Sequence, residues 1–193
     1  MDIQRKRRHP LQMSVRQVEY NGYVFRSQIE AKWAMVFDKL DIEYLYENET
    51  YQLSHQNRRF GYLIDFVLPQ LKRFIEIKNM GSIPPTENEC LKAKCLAEQN
   101  EYKYPCTILF GPISTSQNYK HGSARTYHSD GQISMPQLLT ECPYCGHIDF
   151  CTDGLLKHMS CRCEQKYPDE QNHKSTRLIS VLQEVRKHRF WNP

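Results

Sequence analysis

Residues 62–80 read YLIDFVLPQLKRFIEIKNM, and two acids stand there inside apolar sequence. Asp65 lies between Leu63-Ile64 and Phe66-Val67, and Glu76 between Phe74-Ile75 and Ile77. These runs read as a pair of β-strands in hairpin-like order, Tyr62–Leu68, ended by Pro69, and Arg73–Lys78. Alternate residues of a strand share a face, so Glu76 and Lys78 project together while Ile75 and Ile77 face the opposite way. If the two strands pair as neighbours, Asp65 approaches Glu76. Charges inside buried strands need pairing or a metal to offset lost hydration. Two carboxylates so placed can hold a hard divalent cation such as Mg²⁺ or Mn²⁺. Such a cation polarises a phosphodiester and acidifies a bound water, while Lys78 can orient that water or stabilise charge on the phosphate. The competing reading is a half-exposed strand pair carrying ordinary surface charge.

Upstream, YNGY at 20–23 suggests a hairpin turning at Asn21-Gly22. Ser27 opens a helix to about Leu40, because Ile29, Trp33, Val36, Phe37 and Leu40 fall on one helical face. Strands are expected around Ile42–Glu47 and Tyr51–Leu53, with a polar turn at Ser54–Arg59. Downstream, Pro84-Pro85 breaks the chain before a helix from Thr86 to Gln99, and CTILF (106–110) reads as a buried strand. Helix, strands, helix, strand describes a mixed α/β domain. Residues 113–135 are rich in Ser, Gly, His and Asn and read as a loop or linker, and 141–163 hold a cysteine cluster. A last helix is expected from Ser175 to Arg189, with Leu178, Leu182, Val185 and Arg189 near one face. The organisation expected is a basic arm (1–18), a core domain (19–115), a linker (116–135), a cysteine module (136–168) and a basic C-terminal helix (169–193).

FRSQIEAKWAMVFDKLDIEYLYENETY (25–51), YLIDFVLP (62–69) and FIEIKNM (74–80) together resemble the PD-(D/E)xK nuclease superfamily. The likeness is closest to its small bacterial and phage-type members, in which an RS-x-x-E-A helix precedes a "YE" strand. It spans about residues 20–112, roughly half the chain. It implies a restriction-endonuclease-like core, a central mixed sheet flanked by helices, that cleaves DNA with Mg²⁺. On that resemblance Asp65 and Glu76 are metal ligands, Lys78 is the catalytic lysine and Glu30 is an additional active-site acid. Ile64 departs from the family, which usually places proline there.

Glu30 has a second reading, since Ser27-Gln28-Ile29-Glu30 is also a capping box. Glu47 is expected as a solvated acid at a strand end, and Lys92 and Lys94 as helix-surface lysines within possible reach of phosphate.

Cys90, Cys95 and Cys106 are scattered through the core and read as buried thiols. Five more cysteines fall within 142–163. Cys142-Pro143-Tyr144-Cys145-Gly146 is a zinc-knuckle sequence, and Cys161-Arg162-Cys163 can supply the second pair of a closed, structural Zn²⁺ site. His158 could replace one of the later cysteines, and Cys151 is a less well-spaced spare. A redox Cys-x-x-Cys is the alternative, but its thioredoxin context is missing. The module is expected either to help grip DNA or simply to staple the fold.

The chain has 193 residues, 39% of them hydrophobic and 25% charged, enough apolar material for a packed core. No apolar run is long enough to span a membrane. The basic start has no apolar stretch behind it, so a cytoplasmic protein is expected, with cysteines used for metal rather than disulfides. The net charge of +4 hides a pattern: Arg5, Lys6, Arg7, Arg8 and Arg16 lie at one end and Lys174, Arg177, Arg186, Lys187 and Arg189 at the other. His188 and Trp191 stand beside the last of these. An acidic middle between basic ends suits a polyanion partner, DNA, although solvated tails explain the same residues. The leading expectation is thus a metal-dependent DNA endonuclease. A Holliday-junction resolvase or the end-cleaving subunit of a mobile element would use the same site. A zinc-stabilised DNA-binding module that no longer cuts is the alternative of another class. A small nuclease that cuts both strands would act as a homodimer or be recruited by a larger DNA-processing complex.

Overall fold

A computed structural model describes residues 17–78, 85–113, 124–161, 163 and 175–190. The basic arm, apart from its last two residues, and Trp191 lie outside them. The chain begins with the hairpin β1 (Val18–Tyr20) and β2 (Tyr23–Phe25), with Tyr20 opposite Tyr23. Its turn holds Asn21 and Gly22 at φ 47° and 80°, the left-handed values that Asn and Gly tolerate best. Helix α1 (Gln28–Lys39) follows, with Ser27 as its cap accepting the Glu30 amide.

A six-stranded mixed sheet forms the centre. It contains β3 (Leu45–Tyr46), β6 (Phe66–Leu68), β7 (Arg73–Lys78), β8 (Cys106–Phe110), β9 (Ala124–Tyr127) and β10 (Ile133–Ser134). The spatial order is β10-β9-β8-β7-β6-β3, and β7–β8 is the one parallel pairing in it. Helix α2 (Glu87–Gln99) makes the crossover that a parallel pair requires. Its start has a full capping box, in which Thr86 and Glu89 satisfy each other's backbone N–H.

The two faces of the sheet meet different layers. Ile75 and Ile77 pack with Phe66, Leu68, Leu109 and the α1 residues Val36 and Phe37. Phe74 packs with Val67, Cys106 and Ile108 beneath Ala93 and Leu96 of α2. Alternation along β7 thus separates the α1 layer from the α2 layer. The α2 layer also receives Leu53 and Tyr62 from a separate hairpin, β4 (Thr50–His55) with β5 (Arg58–Leu63).

Several sequence expectations change, beginning with the polar turn at Ser54–Arg59, which narrows to Gln56-Asn57 between β4 and β5. The single strand Tyr62–Leu68 is two: its first part belongs to β5 and its last to β6, with Ile64-Asp65 between. At the break Asp65 turns its side chain onto the β7 backbone. The stretch 116–135 is no mere linker, since β9 and β10 extend the sheet beyond β8. Nor does the cysteine region stand apart. Its hairpin, β11 (Gln137–Glu141) and β12 (Ile148–Thr152), sends Ile148 and Phe150 into the α1 core.

Helix α3 (Thr176–Lys187) docks on α1 through Leu178, Leu182 and Val185, all buried. Burying side chains of this size contributes about 1.5–3 kcal/mol each. Arg189 is exposed instead of joining that face, because the helix ends at Lys187. Among the described residues no helix is long and apolar enough to cross a membrane.

Candidate active site and the four-cysteine group

Asp65 sits one step beyond the β6–β7 ladder, whose last pair is Phe66 with Ile75. Its side chain is used on both sides. Oδ2 accepts the backbone N–H of Ile77 at 2.6 Å, giving that amide the partner that a continued strand would have supplied. Oδ1 accepts from Arg26 Nη2 at 2.7 Å. The Asp65 carbonyl accepts the Glu47 amide, so the bend is held by backbone as well.

Glu76 and Lys78 share a face, as alternation along β7 requires. Lys78 Nζ lies 2.5 Å from Glu76 Oε1 and 3.5 Å from Glu89. Glu76 Oε2 is buried and has no hydrogen-bond partner among the described residues. Glu30 is also buried. Its Oε1 accepts from the Ser27 hydroxyl and its Oε2 from the Tyr46 hydroxyl, each at 2.7 Å. Ser27 therefore caps α1, but the Glu30 carboxylate makes no return bond to the Ser27 amide. It points to Tyr46, and the reciprocal capping box expected there is absent. Glu47 is likewise no solvated strand-end acid, since its Oε1 lies 2.5 Å from Arg26 Nε.

The electrostatics follow from this crowding. Burial, then the charge of Glu76, pushes the Asp65 carboxyl up to about 8, against the pull of the Ile77 N–H and Arg26. Burial also raises Glu47, helped by Glu30 and Glu76 and opposed by Arg26. Burial works to lower Lys78, yet Glu76 outweighs it and holds the ammonium above its ordinary range. Burial raises the Tyr62 phenol strongly, and the charges of Glu76 and Asp65 add to it. Five carboxylates, Glu30, Glu47, Asp65, Glu76 and Glu89, thus meet two cations, Arg26 and Lys78, and leave the cluster with an acidic excess when ionised. That excess and the unpartnered Glu76 oxygen fit a divalent cation.

Lys92 and Lys94 are not part of this cluster. Lys92 lies over the Tyr62 ring at 5.9 Å, and Lys94 pairs with Glu98 one helical turn on. Cys95 and Cys106 are buried thiols and Cys90 is half-buried.

The second group is sulfur. Sγ atoms of Cys142, Cys145, Cys161 and Cys163 all lie within 4.8 Å of one another. A tetrahedral thiolate site with metal–sulfur bonds of about 2.3 Å needs sulfurs roughly 3.8 Å apart, so this group can hold a metal such as zinc. The knuckle is shaped locally: Gly146 at φ 70° returns its N–H to the Cys142 carbonyl, and Cys142 N–H donates to the His147 carbonyl. Cys151 and His158 are outside the group. Cys151 is fully buried among Cys142, Leu156 and Met159, and burial pushes its thiol up to about 12.

The expected basic helix is also more occupied than its sequence implies. Arg177 bridges Asp41 and Glu141, and the Ser175 hydroxyl bonds Glu141 as well. Arg186, Lys187, His188 and Arg189 remain exposed.

Sequence reading missed Arg26, Tyr46 and the buried Arg73. Arg73 reaches Asp149 on β12 at 3.4 Å, Thr107 at 2.9 Å and the Phe150 ring at 5.4 Å. Comparison of the chain with family models, with curated proteins and with solved structures gives no match.

Proposed function

We propose that this chain is a metal-dependent endonuclease that hydrolyses phosphodiester bonds in DNA. The observation that carries the reading is Glu76: buried, one oxygen on Lys78 and the other without a partner, beside the buried Asp65. Asp65 and Glu76 would hold Mg²⁺ or Mn²⁺, with Glu30 as a further acid of the cluster. A cation bound there supplies Lewis acidity and a water acidified towards hydroxide. Lys78, held between Glu76 and Glu89, presents a fixed positive charge to the phosphate as negative charge builds on it. Glu76 keeps that ammonium protonated and in place. Tyr46 and Ser27 fix the Glu30 carboxylate, so it meets the cluster in one orientation. The resemblance of 25–80 to PD-(D/E)xK nucleases supports the same roles. The sheet with α1 and α2 on opposite faces is compatible with that core.

The four cysteines would hold a structural Zn²⁺, since a closed tetrahedral site leaves no position for substrate. DNA is the partner favoured by basic ends around an acidic centre, with Arg186, Lys187 and Arg189 facing solvent.

Nicking of a supercoiled plasmid with Mg²⁺ tests the reading, comparing wild type with Asp65→Ala and Lys78→Ala. Activity in the wild type alone is expected. Equal activity in all three sinks the assignment, and DNA binding without cleavage in any selects the non-cutting module. Branched substrates in the same assay separate a junction resolvase from a general nuclease.

A further inference from the structure

Arg26 lies over the acid cluster as a cation already in place. Its side chain is about half exposed, whereas that of Asp65 is 3% exposed. The guanidinium divides its contacts, Nη2 on Asp65 Oδ1 and Nε on Glu47 Oε1. Its backbone N–H is fixed separately, by the Tyr46 hydroxyl at 3.1 Å. The charged end can therefore leave Asp65 without disturbing the backbone that carries it.

The two Asp65 oxygens are not equivalent. Oδ2 serves the Ile77 amide and cannot be withdrawn without orphaning a buried N–H. A divalent cation shared between Asp65 and Glu76 is best served by Oδ1, the oxygen not tied to the backbone and the one that Arg26 holds. Two cations at one carboxylate oxygen repel strongly in a site with little water. Guanidinium carries no acceptor with which to ligate the incoming ion.

We propose that Arg26 is a built-in stand-in for the divalent cation: it occupies Asp65 Oδ1 in the metal-free protein and is displaced from that oxygen when metal binds. Glu47 is the tether that keeps the displaced side chain at the rim. This inference rests on the metal-binding reading of Asp65 and Glu76, and it adds an internal competitor that weakens metal binding while keeping the empty site folded.

The test is Mn²⁺ titration by calorimetry into full-length protein whose cysteine group has been loaded with Zn²⁺. Wild type, Arg26→Gln and Asp65→Ala are compared. Arg26→Gln is expected to bind Mn²⁺ about tenfold more tightly than wild type, and Asp65→Ala to lose binding. Arg26→Gln should also melt lower than wild type without metal and gain more from saturating Mn²⁺. Equal or weaker Mn²⁺ binding by Arg26→Gln, with wild type binding normally, overturns the inference and leaves the metal site standing. Absence of Mn²⁺ binding in wild type and Arg26→Gln alike overturns both. As a readout independent of the variant's folding, the Arg26 Nε–H resonance in wild type should shift on Mg²⁺ addition. An unchanged resonance at saturating Mg²⁺ also overturns the inference.

Discussion

The acid cluster and the cysteine group both suit a metal, but they are built in opposite ways. The acids come from α1, the bend before β6, and β7, so long-range packing assembles them. Each negative group there already has a partner: Arg26 and an amide for Asp65, Lys78 for Glu76, two hydroxyls for Glu30. The cysteines come from two short loops 16 residues apart at their nearest, Cys145 and Cys161. Beneath them lies a small cluster of Cys142, Cys151, Leu156 and Met159. Once ionised, four thiolates have no protein cation among the contacts described for them. The first site is held by its own counter-charges; the second, loaded with a metal such as zinc, would draw order from it.

Removing metal should therefore split the two regions, and this is the largest effect expected. Structural zinc in small domains is worth on the order of 10 kcal/mol of folding free energy. Chelation should abolish amide protection in the cysteine-bearing loops on either side of β12, while β12 itself stays paired with β11. The Ile77 amide, bonded to Asp65, should stay protected. Loss of Ile77 protection together with the loop would mean that the acid site also needs metal, and the contrast would fail.

The next effect is chemical rather than structural. Lys78→Met removes the charge proposed to face phosphate and leaves both Glu76 oxygens without a partner. Plasmid cleavage should fall about 10³-fold, roughly 4 kcal/mol of transition-state stabilisation. A melting temperature within a few degrees of wild type would place that loss in the chemistry. A loss of less than about tenfold would remove Lys78 from the reaction.

Arg73 is where the two regions touch. It stands at the start of the strand that carries Glu76 and Lys78, and it pairs with Asp149 on β12. The other Asp149 oxygen accepts the Ser160 amide, next to Cys161. Burial works to lower the Arg73 pKa, and Asp149 opposes it. Arg73→Met should cost about 3 kcal/mol in urea unfolding, because Asp149 is left buried and unpaired. Adding Asp149→Leu should recover much of that loss. Additive losses would show instead that each residue acts through separate packing.

Comparing the two regions also explains what the sequence reveals. Alternation in RFIEIK was legible because each face of β7 meets a different layer, so the pattern is imposed residue by residue. The cysteine pairs were legible because ligand geometry at a knuckle is local. Asp65 as a cap for the Ile77 amide was not, since that bond exists only once β6 and β7 have paired. Strands β9 and β10 were hidden for a related reason: ARTY and IS carry little apolar signal, and their order comes from hydrogen bonding of β9 to β8 and of β10 to β9. Nothing local marks Arg26, because its role is set by acids 21 and 39 residues further on, Glu47 and Asp65.

The smallest effect separates the two readings of Glu30. Ser27 both caps α1 and donates to Glu30 Oε1, so Ser27→Ala removes a cap and one of two bonds to that carboxylate. Lost caps cost about 1 kcal/mol, and the urea midpoint should drop accordingly. Glu30→Gln keeps an acceptor for one of the two hydroxyls, turns an amide N–H to the other and leaves the Ser27 cap in place, yet removes one negative charge from the cluster. If Glu30 serves the site, Glu30→Gln lowers plasmid cleavage more than Ser27→Ala does, while Ser27→Ala lowers stability more. The reverse order in both measurements would make Glu30 a structural partner of the Ser27 and Tyr46 hydroxyls, with the reaction left to Asp65, Glu76 and Lys78.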